Sequence, residues 1–156
     1  MKKTIIVLVA ALLSVAAFAQ PRAIGGRAGF YDEVSYQHSL GNNFAEFDFG
    51  FQNLSGLGAS AVYDFSIVNP DWTPKGTWEV YAGPGIALGT HFNAIPFYFG
   101  ICGQVGLSYT FWFPLQLSVD LKPIFGFQAG NNVNGFYSQG LYGFIPTVGV
   151  RYCFGQ

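Results

Sequence analysis

The chain has 156 residues and a formal net charge of −1; 51% of its residues are hydrophobic and only 10% are charged. A water-soluble domain usually carries about a quarter charged residues, so this chain lacks the charge to cover an ordinary wetted surface. No Lys/Arg run follows Lys3, which excludes the basic patch that binding nucleic acid through its phosphates demands.

The first segment, residues 1–19, reads MKKTIIVLVAALLSVAAFA. Lys2 and Lys3 supply a positive start, Ile5 to Ala17 an apolar stretch, and Ala17-Phe18-Ala19 a small-x-small cleavage site. This is the pattern of an export signal peptide. Cleavage after Ala19 would leave 20–156 as a single domain, and the signal is set aside from fold reasoning. No stretch of that domain reaches about 18 uninterrupted apolar residues, so it offers no transmembrane helix. Such a chain spans a bilayer only as a closed barrel, because a sheet edge in hydrocarbon leaves backbone groups unpaired.

From residue 20 onward the apolar residues recur with period two. The clearest case is FAEFDFGFQ, 44–52: Ala45, Phe47, Phe49 and Phe51 share one face, and Glu46, Asp48, Gly50 and Gln52 the other. LQLSVDLK, 115–122, sets Leu115, Leu117, Val119 and Leu121 against Gln116, Ser118, Asp120 and Lys122. The pattern predicts eight strands, at 23–31, 33–39, 44–52, 57–66, 77–83, 97–110, 115–122 and 141–154. Gly, Asn and Pro clusters punctuate them at 40–43, 53–56, 69–76 and 113–114. Pro146 falls inside the last of these, and a closed barrel has no edge on which to tolerate its missing N–H. Residues 141–146 are therefore expected to project beyond the membrane. The fold class is all-β: an eight-stranded antiparallel up-and-down transmembrane β-barrel.

The two faces then acquire an inside and an outside. With each apolar face outward, Arg27, Glu33, Glu46, Asp48, Asp64, Glu79, Asp120, Lys122 and Arg151 all point inward. A Lys or Arg facing lipid near the bilayer midplane costs about 2–4 kcal/mol, which is reason enough for this sorting. A soluble barrel has the reverse arrangement. Eight strands leave room inside only for side chains, so a filled lumen is expected, with Arg27, Lys122 and Arg151 answering six carboxylates. Tyr36, Tyr63, Phe65, Trp78, Phe97, Tyr109, Trp112, Tyr152 and Phe154 are expected as interfacial aromatics. The longest connections, 84–96 and 123–140, would be the outer loops where an extracellular ligand could bind; with the N-terminus in the periplasm, 67–76 is an unusually long periplasmic turn.

The last strand, TVGVRYCF, carries Gly149 followed by Tyr152 and Phe154 two residues apart. It resembles the C-terminal signal read by the outer-membrane barrel assembly machinery, although Gly155 and Gln156 follow the aromatic here. AIGGRAGFYDEVSYQHSLGNNFAEFDFGF (23–51), YAGPGIALG (81–89) and GVRYCF (149–154) resemble the small outer membrane protein β-barrel domain family common in the Bacteroides group. Its broader relatives are the eight-stranded barrels of the OmpX and OmpA membrane-domain kind. The resemblance implies fold and a cell outer membrane location, with outer-membrane lipid and the assembly machinery as partners, and little about activity.

The remaining candidate chemistry is thin. Cys102 and Cys153 are expected at different depths on non-adjacent strands, which favours two thiols over a disulfide. His38 and Ser39 are neighbours on one strand and so face opposite ways, and His91 is placed in a loop without a companion acid. GPGIALG, 83–89, is not followed by the Lys-Ser/Thr of a phosphate loop. No cofactor, metal site or catalytic residue is read. The leading function is an integral outer-membrane barrel, not an enzyme, with a structural or surface-interaction role. Alternatives are a lipid-modifying outer-membrane enzyme, a barrel passing small apolar molecules, and a soluble periplasmic ligand-binding barrel. Lipid analysis of a deletion strain separates the first alternative, bilayer conductance the second, and solubility without detergent the third.

Overall fold

The computed structural model describes residues 20–52, 56–92, 95–130 and 134–155. The segment 1–19, and with it the export signal, lies outside the described residues, as do Asn131 and Asn132 of the 123–140 connection. The chain forms β1 (Pro21–Ala28), β2 (Asp32–Leu40), β3 (Asn43–Gln52), β4 (Gly56–Val68), β5 (Thr77–His91) and β6 (Ile95–Thr110). After these come β7 (Leu115–Leu121), β8 (Ile124–Ala129), β9 (Gly135–Ser138), a 3₁₀ helix (Gly140–Phe144) and β10 (Thr147–Cys153).

The ten ladders build eight staves. β1 to β6 pair antiparallel in sequence order. β6 then pairs with β7 over one half of its length and with β8 over the other. β7 pairs with β10, and β10 with β1 through Ala23↔Cys153 to Ala28↔Val148, which closes an eight-strand antiparallel barrel. β9 hydrogen-bonds to β8 alone.

The seventh and eighth staves are each split, and proline accounts for both breaks. Pro123 stands between β7 and β8 without an N–H to give, though its carbonyl still accepts from the Gly103 N–H at 3.2 Å. Pro146 stands just before β10. The single strand expected at 141–154 is therefore corrected: its first part is the 3₁₀ helix, and pairing starts at Thr147. Both supposed outer loops are also corrected. Most of 84–96 continues β5 and begins β6, and most of 123–140 is the β8–β9 hairpin. Glycine and alanine at 82–89 masked the strand, since their weak intrinsic strand preference is overridden by pairing on both sides.

Side chains alternate across the wall except at bulges in β1, β4 and β5. On β10 the burial pattern reads inside, outside, inside from Thr147 to Cys153. Outer residues such as Ile101 and Phe127 are 68% and 73% exposed, while Arg151 on the inner face is 1% exposed. Besides a small group of buried residues around Tyr98 and Ile124 and the buried rings of Phe44 and Tyr81, the interior is built mainly from polar and charged side chains.

β9 has one hydrogen-bonded neighbour where β10 has two, and local opening follows such differences. Hydrogen–deuterium exchange is expected to label the β9 amides well before those of β10. Equal protection of the two would show that the eighth stave is continuous.

Candidate functional site

All nine charged residues assigned to the inner face lie buried in the lumen. Their arrangement centres on Arg27, which β1 directs inward near mid-barrel. One guanidinium nitrogen is 2.5 Å from Asp48, 3.1 Å from Glu33 and 3.2 Å from Glu46; the other donates to Asp120. Lys122, at the β7–β8 break, donates to Asp48 at 2.7 Å, to Glu33 at 3.1 Å and to the Ser60 hydroxyl at 2.8 Å. Arg151 on β10 donates to Glu46 at 2.8 Å, Ser118 at 2.7 Å and Ser35 at 3.0 Å. Glu46 thus bridges two arginines. These bonds connect β1, β2, β3, β7 and β10 through the middle of the barrel.

Two of the nine stand apart. Glu79 pairs with Arg22 at the end of the barrel that carries the chain termini. Asp64 is fully buried, and neither of its carboxylate oxygens has a hydrogen-bond partner. Gln104, buried two strands away, likewise has both side-chain polar atoms unpartnered. Six carboxylates face four cations, and Asp64 is where the imbalance shows. No group of three or more metal-binding side chains occurs among the described residues.

The lumen is capped at both ends. At the terminal end a polar vestibule of about 300 Å³ is lined by Arg22, Thr77, Glu79, Thr110, Gln116 and Cys153. The Arg22 guanidinium lies 4.2 Å from the centre of the buried Phe44 ring, so ion pair and ring together close the passage inward. At the other end three tyrosines fill the mouth. Tyr98 and Tyr137 stack at 4.4 Å, the Tyr31 and Tyr98 hydroxyls are 3.2 Å apart, and Gln139 donates to the Tyr31 hydroxyl at 2.8 Å. Burial, reinforced by neighbouring Tyr98, pushes the Tyr31 phenol far above its ordinary range, so it remains a neutral hydrogen-bonding group.

His91 is not in a loop but at the end of β5, ring to ring with Tyr98 at 5.5 Å and 3.2 Å from the Tyr137 hydroxyl. His38 is 2.9 Å from the Tyr36 hydroxyl. Among the described residues no carboxylate contacts either imidazole. Cys102 and Cys153 are free, buried thiols. The GPGIALG stretch is part of β5.

The C-terminal trio divides between the two faces. Tyr152 and Phe154 are exposed on the outer wall, edge to face at 5.4 Å. Gly149 faces inward, and a Cβ there would collide with the Ser118 hydroxyl and press on the Arg151 guanidinium. Glycine is what lets Arg151 reach Ser118. Of the nine aromatic candidates, Tyr63, Phe65, Phe97, Trp112, Tyr152 and Phe154 are exposed, and Tyr36, Trp78 and Tyr109 half-buried.

Sequence reasoning missed Arg22, which fell just before the assumed start of the first strand, and the tyrosine cluster. Tyr98 carried a readable signal, since it alternates with Phe97 and Phe99 and so sits on the lumenal parity. Tyr31 and Gln139 lie in a turn and a break, where parity says nothing. No family model, curated protein or solved structure matches this chain.

Removing one partner of a buried ion cluster costs about 3–5 kcal/mol. Arg27→Met is expected to lose that much in urea unfolding of the folded barrel. Asp64→Asn keeps the shape, replaces a buried carboxyl that has no hydrogen-bond partner, and is expected to hold or raise the unfolding midpoint. A destabilised Asp64→Asn would mean that Asp64 has a partner.

Proposed function

We propose that this protein is an integral barrel of the bacterial outer membrane, with its lumen filled by an ion network and a structural or surface-interaction role. One observation carries the reading: the barrel is inside-out relative to a soluble one. Its outer wall presents Val34, Phe49, Ile101, Val119, Phe127 and Val150 to the surroundings, while its charges are buried within. In water that wall would be a very large exposed apolar surface, far beyond the few hundred square ångströms a soluble monomer tolerates. In hydrocarbon it is matched.

The dimensions agree. On β6 the outward aromatics Phe97 and Tyr109 are twelve residues apart. At about 3.3 Å per residue and a tilt of about 40°, they lie about 30 Å apart along the axis. That is about the thickness of a bilayer's hydrocarbon core. The export signal read at residues 1–19, the C-terminal aromatic pattern and the resemblance to small outer-membrane barrels support the same location. The reading entails contact with outer-membrane lipid and delivery by the barrel assembly machinery. The packed ionic middle, capped at both ends, favours a structural role over passage of solutes. Both histidines contact tyrosines rather than an acid, which weighs against lipid hydrolysis.

The test is fractionation combined with a heat-shift gel. The chain is expected in the outer-membrane fraction, and the folded barrel is expected to migrate differently from the boiled one in SDS. Val119→Arg is expected to cost about 2–4 kcal/mol of folding stability in lipid vesicles. A mature chain that stays folded and monomeric in buffer without detergent overturns the reading.

A further inference from the structure

The lumen accounts for nearly every cation in the described residues, and the exception stands out. Of Arg22, Arg27, Lys75, Lys122 and Arg151, only Lys75 makes no ion pair among the described residues. It is exposed, in the 69–76 connection between β4 and β5 at the terminal end of the barrel. All three tryptophans of the chain lie around it.

This connection is pinned to the outer wall. The Trp78 indole N–H donates to the Thr73 hydroxyl at 3.1 Å, and that hydroxyl donates to the Lys75 carbonyl at 2.8 Å. The Tyr109 hydroxyl donates to the same carbonyl at 2.9 Å. Gly76 turns the chain at φ 72°, where glycine is favoured. Trp78 and Tyr109 sit on the outward parity of β5 and β6, so the loop folds back over the wall rather than across the mouth. It holds Trp72 against Trp78 at 5.3 Å and sets the Lys75 ammonium 5.6 Å from the Trp112 ring centre. Trp72 and Trp112 are 61% and 65% exposed, and their indole N–H groups have no hydrogen-bond partner among the described residues.

We infer that Lys75, with the indole donors of Trp72 and Trp112, forms a docking site for the phosphate-bearing headgroup of an anionic phospholipid in the leaflet at the terminal end of the barrel. This rests on the membrane reading above. A free cation at the upper edge of an apolar wall, beside two open N–H donors, complements a headgroup whose acyl chains lie along that wall. The pinned loop presents these groups ready-placed, which lowers the ordering cost of binding. Asp71, in the same loop and also exposed, makes no ion pair with Lys75 and opposes the anion.

Because every tryptophan lies at this site, intrinsic fluorescence reports it directly. The mature barrel is folded into phosphatidylcholine vesicles containing increasing fractions of brominated phosphatidylglycerol or brominated phosphatidylcholine, and quenching gives the relative binding of the two. About a fivefold preference for the anionic lipid is expected, the amount one lysine contributes near a charged membrane surface. Lys75→Gln should bring the ratio to about one, Lys75→Arg should keep it, and Asp71→Asn should raise it. A heat-shift gel confirms that each variant is folded. Equal quenching by the two lipids in the wild type, or an unchanged ratio in folded Lys75→Gln, overturns the inference while leaving the membrane reading intact. Absence of quenching by either lipid overturns the membrane reading, and this site falls with it.

Discussion

The attraction between Arg27 and the four carboxylates around it organises this molecule. They come from β2, β3 and β7, so one side chain on β1 ties together staves on both sides of it. Taking several charges out of water is expensive, and only close pairing with further hydrogen bonds offsets it. The lumen comes nearest to that condition around Lys122 and Arg151, where hydroxyls of Ser35, Ser60 and Ser118 add hydrogen bonds, while Arg27 Nε and one Asp48 carboxylate oxygen stay unpartnered. It does not meet it at Asp64. This network fills the middle of the lumen with paired side chains, which is the ground for proposing a structural role.

Much of this was legible in the sequence because a strand's period of two is a strong code when one face carries charge. Glu46 and Asp48 on β3, and Asp120 on β7, set the inner parity of their strands without reference to anything else. The code fails where charge is absent. At 82–89 the inward positions are Gly83, Gly85, Ala87 and Gly89, so the second half of β5 carries no polar face to mark it as a strand. It fails too where proline interrupts the ladder, at Pro123 and Pro146. Ion partners were out of reach altogether: that Arg27 meets Asp120, far along the chain, depends on the closure of the sheet.

The outer wall and the 69–76 connection extend the same logic to the surroundings. Charges matched by other charges lie inside, and the wall itself is apolar. The one cation among the described residues left without a carboxylate sits at the rim among indoles, where the proposed lipid headgroup would complete it. In this reading the surrounding lipid serves as a further shell of the structure.

The seam between β1 and β10 has a kinetic meaning. Ala23 opposite Cys153 joins nearly the first described residue to nearly the last, and every other ladder except β7–β10 is between near neighbours in sequence. Loop-closure entropy must be met before that contact returns anything, so this one ladder is the costliest of the set to close. Until it closes, Arg27 on β1 has Glu33 opposite it in the hairpin but lacks Asp120, and Arg151 on β10 lacks Glu46. The ion pairs that cross the seam therefore exist only in the closed cylinder, which needs both ends of the sheet in hand.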